Sequence, residues 1–149
     1  IANDNSSIQV VISGDNKIID DSKNVFLENN VKKFVKLNVS AAFHSKFMID
    51  AQNELNEHIS NLDLVENSIN IISNFTAEAS NKGEVIKNAL SNQMANRVRW
   101  KESIEYLSKI GENQIIEIGP GKVLSGLIRR ISNSFDIKSV SSVEDLNNI

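Results

Sequence analysis

Two kinds of hydrophobic pattern alternate along the chain, and together they predict alternating strands and helices. Short apolar or alternating patterns predict strands at 9–14, 33–39, 68–72, 114–118 and 137–140. Helical spacing of apolar residues predicts helices at 20–29, 46–62, 84–94, 100–110 and 122–131, with a short helical tail at 142–146. We therefore expect an α/β fold with a mainly parallel sheet, in which the first strand is buried and the second has one solvated face.

Local stop signals mark several of the predicted boundaries. Asn29 and Asn30 tolerate the left-handed backbone that ends a helix, and Gly111 supplies the same signal after the helix at 100–110. The sequence Gly119-Pro120-Gly121 turns the chain from a predicted strand directly into a predicted helix. The predicted boundaries of the elements therefore rest on local stop signals as well as on hydrophobic periodicity.

The composition narrows the class of protein. With 149 residues and 40% hydrophobic positions, the chain is long enough for one domain with a core. A net charge of −3 argues against a nucleic-acid partner. The absence of Cys excludes disulfides, zinc–thiolate sites and thiol catalysis. No apolar run reaches the roughly 18 residues that span a bilayer, so we expect no membrane partner.

His44 is the main candidate for catalytic chemistry. It lies between a predicted strand and a predicted helix, at a corner where an α/β sheet can hold a catalytic side chain. Ala41 and Ala42 leave room for a substrate, and imidazole suits proton transfer near neutral pH. With neither a Cys nor a Gly-x-Ser-x-Gly elbow, a nucleophile for His44 would lie outside this sequence. The alternative is an ordinary packed or surface histidine.

The other polar motifs favour structural interpretations. His58 lies in an exposed-looking helical segment and on a different element from His44, so we predict no metal site. The segment 119–122 could bind an anion through its backbone N–H groups, but it lacks Walker A and Rossmann spacing, which favours a tight turn. Four arginines are expected to be solvated or to face helix dipoles, with a phosphate contact by one of them as the alternative: Arg97, Arg99, Arg129 and Arg130.

An ordered set of segments carries a family resemblance. The segments are 3–14, 39–45 with its Phe-His-Ser, 72–77, 93–100 and 116–124 with its Glu-Ile-Gly-Pro-Gly. In this order they resemble the carboxyl-terminal half of the bacterial malonyl-CoA:acyl carrier protein transacylase family. The resemblance implies a hydrolase-like three-layer acyltransferase body over residues 39–149. It also implies that residues 1–38 are the tail of a small ferredoxin-like α+β subdomain.

The resemblance also implies a mechanism and partners. His44 would be the general acid and base that serves a seryl ester, and the main-chain carbonyl of Gln93 would fix its tautomer. Coenzyme A would be present as a thioester substrate, with no resident cofactor. The implied partners are malonyl-CoA, acyl carrier protein and the missing amino-terminal half, in the cytoplasm. An aromatic residue at Phe43 resembles a malonyl preference rather than a preference for a branched unit.

Two departures and two alternatives accompany the resemblance. Arg97 stands where the family usually has Pro, and Lys46 where a smaller residue or Pro is common. The serine elbow, the oxyanion-hole loop and the arginine for the malonyl carboxylate all belong to the missing half. One alternative is an acyltransferase piece of a larger synthase with another acyl substrate. The other is a non-enzymatic remnant or binding module.

Overall fold

The computed structural model describes residues 1–66 and 68–148, so Asn67 and Ile149 of the predicted range 39–149 lie outside the described residues. The elements, in chain order, are β1 (Asn3–Ser6), β2 (Gln9–Val11), α1 (Asn16–Glu28), a 3₁₀ turn (Lys46–Met48), α2 (Ile49–Ser60), β3 (Ile71–Ile72), β4 (Ala79–Ser80), α3 (Gly83–Gln93), α4 (Trp100–Lys109), β5 (Gln114–Ile118), α5 (Val123–Ile131), β6 (Asp136–Val140) and a second 3₁₀ turn (Glu144–Asn148). Helices and strands are therefore mixed, as an α/β fold requires.

The strands pair two by two, and only one of the three pairs in the described residues is parallel. β1 pairs with β2 and β3 with β4 in antiparallel fashion, whereas β5 and β6 are parallel. The prediction of a mainly parallel sheet is therefore wrong for this part of the chain. The physical reason is connection length, since short turns reverse the chain in the first two pairs, while α5 crosses over between β5 and β6.

Of the two strands predicted near the front of the chain, one is absent and the other is confirmed only in part. The segment 33–39 forms no strand, because no strand in the described residues lies beside it to share hydrogen bonds. The apolar positions that would define its buried face stay exposed: Val35, Leu37 and Val39. The segment 9–14 contributes only its first three residues to β2, and Val10 is 52% exposed rather than buried.

The helices follow the predicted pattern closely, because local signals fix their ends. The Asp15 carboxylate caps α1 by accepting hydrogen bonds from the N–H groups of Lys17 and Ile18 at 2.9 and 3.1 Å. Beyond the ends of α1 and α4, Asn30 and Gly111 adopt φ values of 67° and 88°, which confirms their predicted role as stops. α2 begins later than predicted, because the 3₁₀ turn precedes it.

A small core joins the front of the chain to its middle. The N–H of Asp4 donates to the carbonyl of Val98 at 2.9 Å, and the N–H of Val98 donates to the carbonyl of Ala2 at 2.7 Å. β1 also packs against α4 and α5. The buried apolar residues are Ala2, Ile59, Ala77, Ala89, Val98, Ile104, Leu127, Ile128 and Val140. This core fixes the chain just after α3, where the candidate site lies.

A large part of the apolar surface is not covered. α1 has no buried residue, and Ile116 and Ile118 on β5 are 47% and 80% exposed. Exposed apolar surface on this scale is typical of faces that bind another protein segment. In the described part of the chain, no helix combines the length and the apolar character needed to cross a bilayer.

Candidate active site

His44 lies in a turn immediately before the first 3₁₀ turn. The prediction that it follows the carboxyl end of a strand is wrong, because residues 33–39 form none. Its φ of 59° is in the left-handed region, which non-glycine residues rarely occupy and which is common at functional sites. The Ser45 hydroxyl stabilises this turn, because it donates to the Ala42 carbonyl at 2.6 Å and accepts from the Phe47 N–H at 3.3 Å.

Two main-chain carbonyls hold the half-buried imidazole of His44. Its Nδ1 lies 3.1 Å from the Gln93 oxygen and 3.1 Å from the Asn96 oxygen. A carbonyl oxygen can only accept, so Nδ1 carries the proton and the neutral ring leaves Nε2 free to accept one. The predicted contact with the Gln93 carbonyl is present. The Asn96 carbonyl is a second acceptor that the sequence did not predict.

The position of these carbonyls follows from the end of α3. Gln93 is the last residue of α3, and the last four carbonyls of a helix have no partner within the helix. These oxygens also carry the partial negative charge at the C-terminal end of the helix dipole. The main-chain N–H of His44 donates to the next carbonyl, that of Met94, at 3.0 Å. The arrangement therefore occupies Nδ1 and leaves Nε2 as the ring nitrogen that can accept a proton.

An open pocket of about 490 Å³ lies beside these contacts. Its lining residues are Phe75, Thr76, Glu78, Asn96, Arg97 and Arg99. The Asn96 whose carbonyl contacts His44 thus also lines this pocket. Residues 72–77 and 93–100 are two of the segments that carry the family resemblance. The structure brings them together as walls of this pocket.

The two arginines of this pocket share one carboxylate. Arg99 donates to Glu102 through Nε at 3.0 Å and also through Nη2, and Arg97 Nη2 donates to the other Glu102 oxygen at 2.7 Å. The Arg99 hydrogen bond lowers the pKa of Glu102, and the same bond raises the pKa of Arg99. Arg99 also donates to the Thr76 carbonyl at 2.7 Å. Arg97 is exposed as predicted, whereas Arg99 is half-buried and holds the wall of the pocket together.

The tight-turn interpretation of residues 119–122 is supported by how α5 begins. The Glu117 carboxylate accepts from the N–H groups of Leu124 and Ser125 at 2.9 and 2.8 Å, and from the Ser125 hydroxyl. This hydroxyl, followed by the two main-chain N–H groups, lowers the pKa of Glu117. The anion that occupies the start of α5 is therefore a side chain of the protein itself.

We expect Glu117→Gln to lower the melting temperature at pH 7, because it removes the negative charge at the start of α5. A folded-state pKa below the ordinary value of 4.5 means that this stability is present above pH 4.5 and is lost as the pH falls through the folded pKa. Thermal unfolding from pH 7 to pH 3 should show the difference between variant and parent shrinking in acid. Glu112→Gln, at an exposed position, is the control. A difference that does not depend on pH would contradict this explanation.

The remaining sequence candidates lie outside this site. His58 is exposed on α2, and Arg129 and Arg130 are exposed on α5. Arg130 donates to the Gln9 side chain at 2.7 Å rather than facing the pocket. Across residues 1–66 and 68–148, no cluster of His, Asp and Glu side chains is arranged to hold a metal ion.

The comparisons with known proteins support an α/β acyltransferase fold for the chain. No protein-family model matches the chain. A malonyl-transacylase, solved in complex with its type II polyketide synthase acyl carrier protein, superposes with a TM-score of 0.93 at 30% identity, over 99% of this chain and 48% of that one. The malonyl CoA-acyl carrier protein transacylase of Synechocystis sp. is 33% identical over 149 residues, which is 100% of this chain and 50% of the relative. The chain matches the carboxyl-terminal half of the malonyl-CoA:acyl carrier protein transacylases.

A second type of relative is much longer. A polyketide biosynthesis protein of Bacillus subtilis is 44% identical over 135 residues, which are 89% of this chain and 17% of that protein. The chain thus spans half of the Synechocystis relative and a smaller share of this one. Similarity over this length covers the His44 turn, the end of α3 and the start of α5 together.

Proposed function

We propose that this chain supplies the carboxyl-terminal half of an acyltransferase that moves a malonyl group from coenzyme A to acyl carrier protein in fatty acid biosynthesis. The observation that carries the proposal is the His44 ring, whose Nδ1 donates to the Gln93 and Asn96 carbonyls. The match to malonyl transacylases over the whole chain supports the choice of reaction. His44 and the Gln93 carbonyl are the proposed catalytic groups.

The geometry suits a ping-pong transfer through a seryl ester. His44 Nε2 takes the proton from a serine hydroxyl as the oxygen attacks the malonyl thioester, and the coenzyme A thiol leaves with that proton. The serine ester then passes malonyl to the thiol of acyl carrier protein, with His44 now accepting the thiol proton and returning it to the serine. In the described residues, no serine hydroxyl hydrogen-bonds the His44 ring, so the proposal places the nucleophile in an amino-terminal half.

The exposed apolar surface supports an amino-terminal half as the partner. α1, the extended segment 33–39 and β5 all expose large apolar side chains. We propose that residues 1–38 belong to a ferredoxin-like subdomain and residues 39–149 to a three-layer body that this half completes. The proposal includes malonyl-CoA and acyl carrier protein as substrates, no resident cofactor, and a cytoplasmic location.

A polyketide setting is the second candidate, and one observation favours it. The 44% identical relative from Bacillus subtilis is a polyketide biosynthesis protein in which the matched region is a small part. The chain would then be an acyltransferase piece of a larger synthase, with the acyl group set by residues outside it. A panel of malonyl-CoA, acetyl-CoA and methylmalonyl-CoA tests the part of this candidate that concerns the acyl group, since another acyl substrate predicts faster transfer of acetyl or methylmalonyl. Strict preference for malonyl fits both settings, because the polyketide relatives include malonyl CoA-acyl carrier protein transacylases.

We expect the isolated chain to transfer no malonyl group, since the nucleophile that forms the ester is absent. Mixed with the amino-terminal half of the Synechocystis transacylase, it should restore transfer from radiolabelled malonyl-CoA to acyl carrier protein. Each half alone is the control. Transfer by the isolated chain would mean that one of its own serines is the nucleophile. A complex that forms but stays inactive would contradict the proposal and favour a binding module.

A further inference from the structure

Four consecutive residues, beginning with the last residue of α3, each contact the segment 44–52. The Gln93 and Asn96 carbonyls accept from His44 Nδ1, and the Met94 carbonyl accepts from the His44 N–H. The remaining residue, Ala95, donates its N–H to the side-chain oxygen of Gln52 at 2.9 Å. The turn that holds the imidazole is thus held in return by the beginning of α2.

We propose that Gln52 is a positioning residue for His44. Its side-chain oxygen fixes the peptide of Ala95, and this keeps the flanking carbonyls of Gln93 and Asn96 aimed at the same ring nitrogen. Gln52 touches neither the ring nor a substrate, so it acts through the turn alone. The geometry stands without the proposed reaction, but the catalytic consequence rests on the proposed function.

The two carbonyl oxygens lie at equal distances from His44 Nδ1. A single N–H shared between two carbonyls at 3.1 Å is a three-centre hydrogen bond, which weakens quickly if either oxygen moves. Gln93 belongs to α3, whereas Asn96 lies in the turn beyond it. The shared geometry therefore needs the turn held at a point between them, and the Ala95 N–H is that point.

Gln52 is well suited to this role. It is half-buried on the first turn of α2, so its amide is partly shielded from competing water. The 3₁₀ turn and the start of α2 lie between His44 and Gln52. The Asn96 side chain adds a second restraint by donating to the Asn92 carbonyl at 2.8 Å, but this bond stays within one end of α3. Among the hydrogen bonds of the described residues, only that of the Gln52 side chain joins this turn to α2.

The chain offers a direct measurement of this role. It contains only two histidines, so a ¹⁵N-histidine spectrum of the 149-residue chain shows His44 with the exposed His58 as an internal reference. At a pH where both rings are neutral, the nitrogen shifts report which ring nitrogen carries the proton. We expect His44 to be predominantly protonated at Nδ1, and His58 to show the mixture of an unconstrained ring.

Three variants separate positioning from general damage. Gln52→Met keeps the side-chain volume but removes the acceptor, and it should lower the Nδ1–H to Nε2–H ratio of His44 severalfold. Gln52→Glu keeps an acceptor oxygen, so its Nδ1–H to Nε2–H ratio should equal that of the parent. Asn53→Ala, on the neighbouring exposed position, should change nothing. Far-ultraviolet circular dichroism confirms that each variant is folded.

The tautomer ratio of His44 tests the role of Gln52 whether or not the proposed acyl transfer takes place. An unchanged His44 ratio in a folded Gln52→Met variant would overturn it, and so would an equal loss in Asn53→Ala. With the amino-terminal half of the Synechocystis enzyme added, Gln52→Met should lower kcat and leave KM for malonyl-CoA unchanged, with Gln52→Glu restoring kcat. If that mixture shows no transfer for any chain, the proposed function fails, while the tautomer ratio still tests Gln52.

Discussion

His44→Ala is expected to reduce malonyl transfer by roughly three to six orders of magnitude in the complex with an amino-terminal half. The serine loses the base that takes its proton, and the leaving thiol loses its acid. Binding of malonyl-CoA should persist, because the ring contributes to proton transfer rather than to recognition. Single-turnover formation of the malonyl ester, measured with radiolabelled malonyl-CoA, is the appropriate measurement.

Two matched variants make this test specific. Gln93→Ala should cost far less than His44→Ala, because the contact with the ring comes from the main-chain carbonyl and survives the change. His58→Ala should have no effect, since this second histidine is exposed on α2. Equal losses from His44→Ala and Gln93→Ala would show that the Gln93 side chain, rather than its carbonyl, performs the role.

Gly83→Ala is expected to cost at least about 3 kcal/mol of stability. A Cβ at this buried position would lie 1.6 Å from the Leu64 carbonyl oxygen and 2.5 Å from the Leu64 carbonyl carbon. Both contacts are to backbone, so relief requires α3 to move away from the segment that precedes it. Because α3 carries the Gln93 carbonyl, such a shift would also disturb His44.

Gly126→Ala is the matched control on another helix. No atom outside the local helix lies within 4 Å of a Cβ built there. Alanine is the better helix former, so this change should stabilise the chain by about 0.5–1 kcal/mol. Urea unfolding of both variants measures the two effects. A Gly83→Ala variant as stable as the parent would show that α3 and residue 64 are not in close contact.

Local sequence determined most of the helices and the last two strands. Apolar residues at helical spacing, with stops at Asn30 and Gly111, place α1 and α4 within a few residues of their observed ends. The strand at 114–118 is predicted to the residue, because its neighbour β6 and the connecting helix lie close by in the chain. The proposed roles of His44 and the Gln93 carbonyl came from the family resemblance of the ordered motifs rather than from periodicity.

Strands that need distant partners were decided by tertiary structure. The pattern at 33–39 is that of a strand, but a strand forms only where another backbone shares its hydrogen bonds, and none in the described residues does. The direction of pairing likewise depended on how the chain turns between strands, which periodicity does not contain. The mainly parallel sheet was wrong for this reason.

The site shows the same division between local sequence and three-dimensional contact. The sequence by itself identified an imidazole, and the family resemblance of its motifs implied one segment that accepts its hydrogen bond. Only the folded chain brought in the Asn96 carbonyl, the Gln52 side chain and the backbone contact that requires glycine at position 83. Every residue carries the same main-chain carbonyl, so the sequence does not show which carbonyl will accept a hydrogen bond. The space around a residue is likewise defined only once the chain has folded. Their roles therefore belong to the tertiary structure, whereas the choice of histidine belongs to the sequence.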